Sequence, residues 1–197
     1  MATVFYVTHP QIRMDPAVPV PRWSLSELGR ARIEAAAGAP WVSGLRAVAS
    51  SDEAKAIETA CVLTRATGAM LLVRPGLHEN DRSATGFLPP PEFEAVANQF
   101  FAQPDESVRG WERAIDAQSR VVAAVHAVLA EAPAGNVAFA GHGGVGTLLC
   151  CALSGSAIDR RFDQPAGGGN VFAFDRATLR VLHRWRPLED ARIGEPE

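Results

Sequence analysis

The strongest constraint on this chain is its alternation of short apolar runs with longer helical patterns. "TVFYV" (3–7) reads as a buried strand, and a proline-rich loop follows it. Ser24 and Glu27 fit a capping box that opens a helix over "LSELGRARIEAAAG", ending near Gly38. "LRAVAS" (45–50) is a strand, "DEAKAIETACVLTRATG" a helix stopped by Gly68, and "AMLLVR" (69–74) a strand. A loop over 75–91 leads to helices near 91–102 and 111–131. The strand "NVAFA" (136–140), the helix "GGVGTLLCCALSG" and two strands closing across Arg176–Ala177 complete the chain. Strands that alternate with helices predict an α/β protein, a mostly parallel sheet with helices on both faces. The 197 residues fit one domain over 1–187, with a loose tail over 188–197.

Composition narrows the function classes. A net charge of −3 argues against a general nucleic-acid or membrane-surface binder. No apolar run reaches the ~18 residues of a membrane span. The N-terminus lacks the basic-then-apolar order of a signal peptide. Cys61, Cys150 and Cys151 lie in apolar helical contexts, which fits reduced cysteine and a cytoplasmic protein. No histidine or cysteine spacing suggests a metal.

In a parallel α/β sheet, sites form beyond the carboxyl ends of strands. Thr8 and His9 stand there after the first strand, and "SSDEAKAIETA" after the second. "RPGLHEND" follows the third and "GHGGVG", with His142, the fourth. Two histidines, a lysine and a carboxylate therefore share one rim. Gly141, Gly143 and Gly146 satisfy the dinucleotide fingerprint G-x-G-x-x-G, but only one hairpin follows and not a βαβαβ unit. The same glycines allow close backbone approach to an anion at a helix start.

The order of motifs resembles the histidine phosphatase superfamily, the phosphoglycerate-mutase-like phosphatases. "THP" (8–10), "LSELG" (25–29), "SSDEAKAIETA" (50–60), "LHE" (77–79) and "HGG" (142–144) run in that family's order over residues 3–153. The resemblance implies a three-layer α/β/α sandwich and phosphomonoester hydrolysis through a phosphohistidine. It implies His9 as nucleophile, Glu79 as proton donor and His142 as a phosphate partner, with no metal and no cofactor. The partner is then a small phosphorylated substrate or inorganic phosphate. The oligomeric state stays open, a homodimer included. The chemistry agrees: a neutral imidazole attacks phosphorus when donors drain charge from the equatorial oxygens and an acid protonates the leaving oxygen.

Four positions depart from the family pattern. Thr8 stands for an arginine, Pro10 for a glycine, Lys55 for a second arginine and Glu58 for a glutamine. Lysine does not replace arginine's bidentate fork, and Pro10 removes a backbone N–H. A reduced site is expected, with Thr8, Lys55 and Gly143 at the phosphate. Arg82 is the expected compensating cation and Arg22 the second choice, ahead of Arg13, Arg109 and Arg113. Trp23 and Trp111 are either core or pocket wall. Activity is expected at mildly acidic to neutral pH. The alternative is a non-catalytic member of the same fold that binds a phosphorylated ligand or a protein.

Overall fold

The structure, a computed structural model, describes residues 2–196. In chain order the elements are β1 (Thr3–Thr8), α1 (Glu27–Ala36), α2 (Pro40–Ser43), β2 (Leu45–Ser50), α3 (Ala54–Thr67) and β3 (Met70–Val73). Then come α4 (Pro90–Ala102), α5 (Ala114–Glu131), β4 (Asn136–Gly141), α6 (Gly143–Leu153), β5 (Asn170–Asp175) and β6 (Val181–Pro187). Six strands form one sheet in the order β3-β2-β4-β1-β5-β6. The first four in that order are parallel neighbours, and β5 and β6 join antiparallel. No helix is long and apolar enough to cross a membrane, among the described residues.

The runs of β1, β4 and β5 are continuously apolar because both faces of the sheet are covered there. Side chains alternate along a strand, so Val4 and Tyr6 enter a core with Phe139, Val121 of α5 and Leu148 of α6. Phe5 and Val7 enter a second core with Ile33 of α1, Trp41 of α2 and Leu63 of α3. The three-layer α/β/α arrangement follows from these two cores. Gly68 ends α3 in the left-handed conformation, φ 70°, as its position suggests.

Two sequence expectations are corrected. The cap of α1 is Ser26, whose Oγ accepts from the Gly29 N–H at 3.1 Å, and not Ser24. The chain is still extended at Leu25, which bridges to Ile12, so the helix starts later. The tail is not loose. Leu188 and Ile193 are buried in the second core, the Leu188 N–H donates to Gly169 O at 3.0 Å, and Gly194 N–H donates to His183 Nε2 at 3.0 Å. Two large apolar residues in a largely polar segment pin it to the core.

The "LSELG" stretch has a packing reason for its glycine. A Cβ at Gly29 would lie 2.1 Å from the Gln11 carbonyl oxygen, which itself accepts from Ser26 N–H at 2.9 Å. The loop carrying the chain away from His9 thus rests directly on α1. Gly29→Ala is expected to destabilise the protein by about 1–3 kcal/mol, the cost of overpacking against a backbone that is already tied down. Urea denaturation with an unchanged midpoint would show that the loop shifts freely.

Candidate active site

β1 and β4 are parallel neighbours with Thr8 opposite Gly141, so the next residue of each strand is a histidine at the same sheet edge. The His9 N–H donates to Gly141 O at 3.0 Å and extends the ladder by one bond. The His9 and His142 rings meet edge-on with centroids 5.3 Å apart, so the two imidazoles touch at one rim and can face the same group. His9 Nδ1 lies 2.9 Å from the Pro10 carbonyl oxygen, which can only accept. Nδ1 therefore carries the hydrogen, and the Nε2 lone pair is left bare. Burial, reinforced by His142 and Lys55, pushes the His9 pKa down to about 3. His9 is neutral across the physiological range.

The glycines of "GHGGVG" make room for the protein's own side chains. A Cβ at Gly141 would lie 2.3 Å from the Tyr6 hydroxyl, and one at Gly146 would lie 2.5 Å from the Tyr6 ring. Tyr6 accepts from the His142 N–H at 3.2 Å and donates to the His142 carbonyl at 3.3 Å, which fixes the backbone at this strand end. At Gly144 a Cβ would lie 2.7 Å from Glu79 Oε1. Glu79 Oε2 accepts from Gly144 N–H at 3.1 Å, and its Oε1 accepts from Val145 N–H at 3.0 Å. The start of α6 thus already holds an anion, the Glu79 carboxylate. Burial raises the Glu79 pKa, but Arg82, His142 and the Val145 N–H together hold it below the ordinary carboxylate value.

Glu53 ties the site together. Its Oε1 accepts from the Glu79 N–H at 2.9 Å and stands 3.3 Å from His142 Nε2. Its Oε2 pairs with Lys55 Nζ, both side chains being buried. Ser51 Oγ lies 2.7 Å from His142 Nε2, so two groups from the end of β2 engage one edge of that ring. The opposite nitrogen, His142 Nδ1, is buried without a partner among the described residues, as is Asn80 Nδ2.

Both unpartnered nitrogens belong to residues lining a cavity of about 1050 Å³, which also holds His9, Glu53, Glu79, Gly143 and Gln164. Trp23, Phe87, Phe93 and Trp111 form an aromatic wall, so both tryptophans are core and pocket at once. Arg82 lines the cavity with its guanidinium 5.0 Å from the Phe93 ring centroid and 5.6 Å from that of Trp111. Arg13, Arg22, Arg109 and Arg113 do not line it, and Arg22 is exposed. Lys55 reaches the rim, but its ammonium is taken by Glu53 and by Val20 O at 3.1 Å.

Thr8 is the clearest departure from expectation. It is fully buried, does not line the cavity, and donates from Oγ1 to Gln164 Oε1 at 2.6 Å. A threonine is too short to pass the strand tip, so its hydroxyl turns to β5 and the loop before it. Sequence reasoning missed Glu53, Gln164, Asn80 and Asp163. Glu53 was visible inside "SSDEAKAIETA", but an acid at a helix start has a ready explanation in the helix dipole. Burial raises the pKa of Asp163, which lines the cavity beside Gln164. No group of three or more His, Cys, Asp and Glu side chains could hold a metal ion, among the described residues.

Several solved structures share the fold. Mycobacterial glucosyl-3-phosphoglycerate phosphatase in complex with inorganic phosphate is 22% identical over 98% of this chain and 100% of that one, with a TM-score of 0.74. The same enzyme with VO3 gives a TM-score of 0.71 at 23% identity, over 94% and 97% of the two chains. YhfR of Bacillus stearothermophilus gives 0.74 at 20% identity, over 93% and 95%. A comparison with curated protein sequences found no match. The model of the histidine phosphatase superfamily, branch 1, matches residues 15–186, a span that opens beyond His9 and contains Lys55, Glu79, His142 and Gln164. With most of its length inside that match, the chain belongs to the histidine phosphatase superfamily, branch 1.

Proposed function

We propose that this protein hydrolyses phosphate monoesters through a phosphohistidine at His9. The observation that carries the reading is the pair of rings at the tips of β1 and β4, with His9 Nε2 bare and His142 Nδ1 unpartnered beside it. Nε2 attacks phosphorus, the P–N bond forms, and the P–O bond to the alcohol breaks. The leaving oxygen takes the proton of the Glu79 carboxyl. Water then attacks the phosphoryl group, Glu79 takes its proton, and the P–N electron pair returns to His9 as orthophosphate leaves. Gly143 at the start of α6 and His142 flank the phosphoryl oxygens; because Nε2–H faces the Glu53 carboxylate, His142 donates to them from Nδ1 only as the imidazolium. The aromatic wall suits an ester whose alcohol is apolar or aromatic. No step requires a metal.

The resting protonation states move the expected pH range. Glu79 is held as carboxylate and must be protonated to act as acid, while His9 must be neutral and remains so down to about 3. The kcat/KM profile, which reports the free enzyme, is therefore expected to peak below the ordinary carboxylate value of 4.5 and to fall toward neutral pH. A panel of aryl and small polar phosphate esters, assayed with and without a chelator, checks this. Chelator-sensitive turnover, or a peak at neutral pH, would overturn the assignment of Glu79 as acid. The competing reading is a phosphate-ligand-binding member without turnover, favoured by the ionised Glu79 and by the threonine at position 8. Vanadate binding with no hydrolysis of any ester would establish it.

A further inference from the structure

We infer that Gln164 donates from its side-chain amide to a phosphoryl oxygen, and that Thr8 is the positioning residue that aims it. The inference rests on His9 as the nucleophile, but its observations are separate. Asn170 Nδ2 contacts Pro165 O at 3.1 Å and Gln164 Oε1 at 3.0 Å. The Pro165 oxygen can only accept, so the Asn170 atom is the nitrogen and its Gln164 partner must be the amide oxygen. The Asn170 N–H donates to Thr8 Oγ1 at 3.0 Å, which leaves the Thr8 hydrogen for the same Gln164 oxygen at 2.6 Å. Two donors thus hold Oε1 and turn Nε2 the other way.

Nε2 then sits at the first residue of α6. A Cβ at Gly143 would lie 2.4 Å from it, so the amide fills the space this glycine leaves next to His142. Gln164 lines the cavity together with His9 and His142. The position that carries arginine in the resembled pattern therefore serves, through Thr8, to orient an uncharged donor. An amide donor fits this cavity, where Lys55 is already neutralised by Glu53. The long side chain is preorganised by its two bonds and loses little entropy on meeting an anion.

The test uses the full chain, p-nitrophenyl phosphate for turnover and orthovanadate for binding. Gln164→Glu keeps the acceptor held by Thr8 and Asn170 and exchanges only the donor for an acceptor. Gln164→Leu removes both. Each is expected to lower kcat/KM and vanadate affinity by about 100-fold, the scale of one lost transition-state donor. Thr8→Val is expected to cost about tenfold in kcat/KM, and Thr8→Ser to restore it. A merely packed Thr8 would give the reverse order, since valine matches its shape and serine does not. Wild-type kcat/KM and vanadate affinity in both Gln164 variants would overturn the inference while leaving His9 as nucleophile. A wild-type protein that neither turns over nor binds vanadate would instead remove the nucleophile, and this inference with it.

Discussion

Replacing His9 with alanine is expected to cut phosphoester turnover by about 10⁴-fold or more while the protein remains folded. His9 lies beyond the last residue of β1, is half-buried and lines the cavity, so its loss opens space at the rim and not in either core. Wild-type protein quenched during turnover should carry phosphate on His9 by mass spectrometry, and the variant should carry none. Stability gives a second readout. The folded pKa of His9 is about 3 against an ordinary 6.5, so between those values the unfolded chain holds a proton that the folded protein does not. Acidification through that window destabilises the wild type, and His9→Ala removes that share of the loss. The alanine variant should therefore gain on the wild type as pH falls. A His9→Ala protein with unaltered turnover and vanadate binding would reduce His9 to a histidine at a strand end.

Glu53→Ala is expected to destabilise the fold by about 3–5 kcal/mol near neutral pH. The substitution leaves the Lys55 ammonium buried without its carboxylate, frees the Glu79 N–H, and removes one of the two groups at His142 Nε2. Lys55→Met in the same chain should recover part of that loss, because the stranded charge is then gone. Burial raises the Glu53 pKa, but His142 and Lys55 outweigh it and bring it to about 2, against an ordinary 4.5. With the folded pKa depressed, the stabilisation is present above the ordinary value and is lost as pH falls toward 2. The gap between wild type and variant should then close in acid. Chemical denaturation at neutral and at strongly acidic pH measures both points, and a neutral-pH difference under about 1 kcal/mol would show that Lys55 finds another partner.

β1, β3, β4 and β5 were legible because each is an apolar run, and the longer helices because they are periodic; the four residues of α2 set no period and were not read. The meeting of His9 with His142 was legible in part. Both follow strands, but only the order β4-β1 makes them neighbours, and no local pattern encodes that order. Thr8 could not be read, because its partners Gln164 and Asn170 lie 156 and 162 residues away. Lys55 was visible as a cation but not as a paired one, since Glu53 two residues earlier points to the same side only once α3 is seated. Leu188 and Ile193 were lost in a polar tail because two apolar residues set no period.

Among the described residues, the cavity that holds His9 is lined by three cationic side chains, Lys55, Arg82 and Arg160, against six carboxyl groups. Its field therefore repels a phosphate arriving from solution, where a basic cleft would draw one in over a Debye length, about 8–10 Å at ordinary ionic strength. On the proposed reading, encounter falls to the aromatic wall, which would gather the apolar end of an ester first and carry the anion in behind it. Added salt, which slows capture by a basic site, eases capture by this one.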